Sequence, residues 1–223
     1  MRIIRTAFRA LTYVAVAYGS FAAYTFLRYG KKKKSPPAPS LDRFLPEPEV
    51  VEWHCVNINA PQHLIYDAMR NYDVMHSRIA HLLFETRSVA MGSKPADIAI
   101  VKMFVDQMRQ VGWAILDEKP DEEIIFGVAA QPWIADAGFR TISPELFATF
   151  NEPGWVKIVL NVAVSADGVL STETRVVSTD AEARKRFRRY WAFVLPGVKL
   201  IRFELLRGMK AQAEAAARAF AAA

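Results

Sequence analysis

The chain has 223 residues, one cysteine and a formal charge of +6. A single cysteine excludes an internal disulfide framework, and the length allows one domain of ordinary size with a real core once an amino-terminal segment is set apart. Eight of the 29 basic residues fall within the first 34 positions, which hold no acidic residue. The remainder therefore lacks the positive excess of a nucleic-acid-binding domain, and no nucleic-acid partner is expected.

The first 34 residues read as a basic-flanked membrane segment. Ala10–Leu27 carries no charge and would extend about 27 Å as a helix, close to the thickness of a hydrocarbon core. Tyr13, Tyr18 and Tyr24 dilute its apolarity. A single-pass transmembrane anchor is the favoured expectation; a cleaved signal peptide and a buried or interfacial helix are the competing ones. Arg28 and Lys31–Lys34 outnumber Arg2, Arg5 and Arg9, which places the following domain on the cytoplasmic side. Lys31–Lys34 would then lie near anionic lipid head groups.

Residues 35–49 hold five of the twelve prolines and read as a semi-extended linker. The domain itself is expected over 50–215, followed by an alanine-rich tail at 216–223. Val50–Asn59 reads as a first strand, with Cys55 as a small buried strand residue. A short helix starts after Asn59-Ala60-Pro61. Asn71–His81 is helical or irregular, and Leu82–Met91 fits a strand. Ala96–Val111 has helical spacing, with a strand as the alternative. Gly112–Lys119 and Glu122–Gln131 form a hairpin about Pro120-Asp121, and Leu146–Phe150 reads as another short strand.

The carboxy-terminal stretch is the most strongly patterned. In Trp155–Val164, residues Val156, Ile158, Leu160, Val162 and Val164 share one strand face. Asp167-Gly168 is a hairpin turn signal. In the next strand Thr172 and Thr174 alternate with Glu173 and Arg175, and both faces are partly polar. Thr179 and Glu182 have the spacing of a capping box. Phe187, Tyr190, Trp191, Val194 and Leu195 make a helical stripe. Pro196-Gly197 is expected to kink or break that helix. Strands grouped together with helices set apart indicate an α+β fold.

No segment carries a phosphate loop, a nucleophile elbow or histidines at ligand spacing, so no catalytic residue, metal or cofactor is assigned. Glu173 and Arg175 share a strand face, either as an ion pair or as groups that orient a ligand. Trp53, Trp133, Phe147, Tyr190 and Trp191 are either core or cavity lining.

The order of elements, together with GWAIL-x-E-x-P-x-x-E-I-I-x-G at Gly112–Gly127, Pro132-Trp133, the TETRV…YW run at Thr172–Trp191 and the helical Ile201-Arg202…Leu205-Leu206 segment, resembles the SRPBCC, or START-like, helix-grip superfamily. The resemblance implies a curved antiparallel sheet wrapped around the final helix, leaving an internal cavity. It also implies an apolar small-molecule partner, since members bind lipids, sterols, quinones or polyketides. Trp53, Trp133, Phe147, Glu173, Arg175, Tyr190 and Trp191 are then the ligand-binding candidates. Three readings follow: a membrane-anchored carrier without chemistry, which is favoured; a polyketide cyclase-like enzyme; and an interaction module whose cavity is filled.

Overall fold

A computed structural model describes residues 2–31, 35–74 and 103–222, together with Ser77, Glu85 and Gly92. Lys32–Lys34, His76, His81, the strand expected at Leu82–Met91 apart from Glu85, and the start of the Ala96–Val111 segment lie outside the described residues. The fold is α+β. The helices are α1 (Arg2–Arg28), α2 (Pro39–Asp42), α3 (Gln62–Asn71), α4 (Phe104–Gln110), α5 (Pro144–Phe147) and α6 (Ala181–Ala221). The strands are β1 (Val50–Asn57), β2 (Ala114–Lys119), β3 (Glu123–Ala130), β4 (Val156–Val164) and β5 (Val169–Ser178). They form one five-stranded sheet in the order β1-β5-β4-β3-β2, every pair antiparallel. A five-stranded antiparallel sheet with a long carboxy-terminal helix against it is the arrangement that a helix grip requires.

The β4–β5 turn forms where the Asp-Gly pair places it. Gly168 has φ +81°, and a Cβ there would meet the Ile58 carbonyl oxygen at 2.7 Å, so position 168 needs glycine twice over. Register then fixes the faces. Leu160 pairs with Thr174 and Val162 with Thr172, which sets the threonines on the face that β4 turns toward α6. On that inner face Ile124, Phe126, Val162 and Leu170 pack with Ile65 and Met69 of α3 and with Leu206 and Met209 of α6. Further along, Val50, Val156 and Val176 meet Phe187, Trp191 and Leu195. Each such side chain contributes on the order of 2 kcal/mol by leaving water.

The outer face is covered as well. Leu41, Phe44 and Leu45 are buried against Ile125, Ala129, Phe147 and Val159. Residues 35–49, expected as a spacer, therefore form a strap on the sheet. Their apolar residues at i, i+3 and i+4 outweigh the extended preference of the prolines. The strand expected at Leu146–Phe150 is also different: Ser143-Pro144 opens the short helix α5, with proline at a position where its missing N–H costs nothing. Cys55 is exposed rather than buried, since it lies on the outer side of edge strand β1, opposite Ser171.

Helix α6 starts one residue later than the capping box proposed. Asp180 is the N-cap and accepts from the Glu182 and Ala183 amides, both at 2.8 Å. Thr179 instead pairs with Trp155, just before β4, and Glu182 with Arg186. The helix also continues through Pro196 to Ala221. Packing on both sides of the proline outweighs one lost backbone bond.

A single-pass anchor was expected at Ala10–Leu27; among the described residues no helix is long and apolar enough to cross a membrane. The helix does form, and its carboxy-terminal part rests on α6. Ala22 and Thr25 are buried, Tyr29 meets Phe187 edge-on with 6.1 Å between ring centres, and the Tyr18 hydroxyl donates to the Phe193 carbonyl.

Candidate functional site

The structure splits the candidate residues between the two sheet faces. Glu173 and Arg175 lie on the outer face, beneath the strap, and not on the side of α6. Arg175 Nε donates to Glu173 Oε1 at 2.7 Å, and its Nη1 donates to Asp42 Oδ1 at 2.6 Å and to the Leu45 carbonyl at 3.1 Å. Burial works against the Arg175 charge, but the hydrogen bonds to Asp42 and Glu173 outweigh it and raise its pKa. This geometry spends the guanidinium on the strap.

Trp53 is opposite Glu173 in the β1–β5 register and shares that outer side. It lines a groove of about 470 Å³ together with Pro39, Gln62, Glu123, Asn161 and Glu173. Within the groove Asn161 Nδ2 donates to Glu123 Oε1 at 2.6 Å and Ser40 Oγ donates to the same oxygen at 3.0 Å. Phe147 is fully buried behind the strap, edge-on to Phe44. Tyr190, Trp191 and Trp133 belong to the apolar cluster at the amino-terminal end of α6, where Trp191 stacks on Phe187 at 5.6 Å. The seven candidates thus fall into an outer group and a group under the start of α6, and they do not line one chamber.

A different polar constellation occupies the interface between α6 and the sheet. Arg202, on α6, reaches the inner face of β5. Its Nη1 donates to Thr172 Oγ1 at 3.1 Å and its Nη2 donates to Thr174 Oγ1. Thr172 in turn donates to the Asn161 carbonyl at 2.8 Å, so its hydroxyl is held as an acceptor toward Arg202. Glu52, 4% exposed, lies opposite Thr174 on β1, and His54 lies opposite Thr172. Burial pushes the Arg202 pKa down to about 10, while the Glu52 charge acts in the other direction. Arg202 therefore stays cationic at neutral pH. It offers charge and donors, not a proton.

One donor of this group is unused. The Arg202 Nε is enclosed and has no hydrogen-bond partner among the described residues, where buried polar groups normally have one. In the sequence Arg202 stands out only as part of the helical Ile201-Arg202…Leu205-Leu206 segment. The available signal was the pair Thr172 and Thr174, two hydroxyls on strand positions that alternate with the opposite face. Among the described residues no cluster of histidine, cysteine, aspartate and glutamate could hold a metal ion. Compared with known protein families and with curated proteins, the chain matches none.

Proposed function

We propose that this is a START-like domain that binds an amphipathic small molecule between α6 and the inner face of the sheet, with the molecule's polar head accepting from Arg202. The unpartnered, enclosed Nε of Arg202 carries this reading. An arginine head has five donors and no acceptor, so the group left unmatched calls for a carboxylate, carbonyl or hydroxyl oxygen. The surroundings suit the rest of such a molecule, because Leu160, Leu205, Leu206 and Met209 belong to the adjoining apolar cluster. Binding sites of this kind are mostly apolar with a few converging polar groups. Glu52 balances the cation when no ligand is present.

The test is native mass spectrometry with solvent extraction on the full chain, alongside uptake of a fluorescent fatty acid and a quinone. A stoichiometric amphiphile retained by the wild type and lost from Arg202→Met supports the reading. An empty protein that takes up neither probe, or one that binds them equally well without Arg202, overturns it.

A further inference from the structure

We infer that α1 and the first half of α6 together form a docking face for a bilayer containing anionic phospholipid, with a head-group phosphate seated in the groove between the two helices. The groove measures about 470 Å³ and is lined by Phe26, Tyr29, Arg184, Lys185, Arg188 and Arg189. Its cations are only partly committed. Arg188 Nε donates to the Phe26 carbonyl at 2.8 Å, and its guanidinium lies over the Phe26 ring at 3.8 Å. Arg184 is 3.4 Å from Glu49. Lys185 and Arg189 are exposed and have no ion pair among the described residues. The nearby carboxylates Glu49 and Glu182 are already engaged by Arg184 and Arg186. The result is a cationic groove floored by aromatic rings, complementary to a phosphate.

The two helices change character at the same level. They run antiparallel, since Tyr29 meets Phe187, Phe26 meets Arg188 and Tyr18 meets Phe193. On α6, Lys185, Arg189 and Phe193 are four residues apart and so share a side; Leu200 follows seven residues on. Phe193 is 61% and Leu200 42% exposed, so this side passes from basic to apolar along the helix. On α1, positions 12–20 (TYVAVAYGS) are uncharged and every one is exposed, while Arg28 closes the basic end. Tyr13, Val14 and Val16 are all strongly exposed, apolar surface that gains by leaving water. With the apolar halves in hydrocarbon, the groove falls at the depth of the phosphates. Interfacial helices join apolar burial to anionic attraction in this way.

Flotation of the full chain with vesicles of phosphatidylcholine, alone or with added phosphatidylserine, tests the inference. Expected is binding to the anionic vesicles that weakens with salt. Lys185→Gln/Arg189→Gln should weaken it about thirtyfold, from about 1 kcal/mol per basic residue near an anionic surface. Lys119→Gln/Arg109→Gln, which removes the same charge elsewhere, should change it little. Phe193→Ser/Leu200→Ser should reduce flotation while leaving binding of inorganic phosphate, followed by ³¹P NMR, unaltered. Circular dichroism checks that each variant is folded. Flotation that ignores lipid charge, salt and the Lys185/Arg189 change overturns the inference, as does phosphate binding without vesicle binding, which would mark a free-ion site.

Discussion

Glu173 and Arg175 stand two residues apart on β5 and form an ion pair 2.7 Å long on the sheet face turned away from the long helix. Glu173 is 2% exposed, so Arg175 is the countercharge that makes its burial tolerable. Asp42, the second partner, is largely exposed. Removing one member of a buried pair costs about 3–5 kcal/mol, while an exposed pair is worth about 1 kcal/mol or less. Urea unfolding should therefore find Arg175→Leu strongly destabilised and Asp42→Ala close to wild type. Glu173→Leu/Arg175→Leu should recover much of the loss. Equal, small effects from Arg175→Leu and Asp42→Ala would refute the strap account.

Gly208 gives a second prediction. It lies in α6 where α3 and the following Tyr72 approach, and a Cβ there would overlap the Tyr72 ring and hydroxyl. Alanine in a helix gains about 1 kcal/mol over glycine, but overpacking costs about 1–3 kcal/mol. Tyr72 is buried and has little room to yield. Gly208→Ala should lower the melting temperature despite its better helix propensity, and Gly208→Ala/Tyr72→Leu should restore it. A melting temperature raised by the single change would contradict the close contact.

The pH dependence should have two separate limbs. Asp180 accepts from the backbone amides of Ala183, Gly154 and Glu182, which lowers its pKa below the ordinary 3.8. Its stabilisation is complete above 3.8 and is lost as pH falls through the lower folded value. Tyr29 is shifted the other way, by burial first and then by its hydrogen bond to Glu49. The unfolded tyrosine releases its proton near 10.0 while the folded one keeps it, so this contribution is complete below 10.0 and fades above it. Melting curves across pH should show Asp180→Asn flattening the acid limb alone and Tyr29→Phe the alkaline limb alone. A variant that alters both limbs equally would indicate general loosening instead.

Pro196 supplies the fourth. It has no N–H to give the Ala192 carbonyl, and a mid-helix proline costs about 3 kcal/mol against alanine. Pro196→Ala should stabilise the protein by about 1–3 kcal/mol in thermal unfolding, with α6 retained from Ala181 to Ala221. A Pro196→Ala protein less stable than wild type would refute this prediction.

Period-two alternation made β4 legible, because its apolar residues Val156 to Val164 fall on the buried inner face. It failed for β5 because both faces of that strand are covered. Thr172 and Thr174 go inward and Glu173 and Arg175 outward, and only pairing with β4 decides which. Residues 35–49 misled because five prolines dominate the local signal, while Leu41, Phe44 and Leu45 find their partners on strands far along the chain. Arg202 was illegible for a related reason: its burial depends on β1 and β5 lying across from α6, which no window of the sequence contains.

The contact between Tyr18 and Phe193 joins residues 175 positions apart, and this separation orders events during synthesis. At about 5–20 residues per second, α1 leaves the ribosome on the order of ten to thirty seconds before the helix segment it packs against. Through that interval the uncharged side chains of positions 12–20 have no α6 beside them. The segments made in between, from the strap to β5, bury apolar side chains against one another, so α1 acquires its partner only after the sheet's own partners are present.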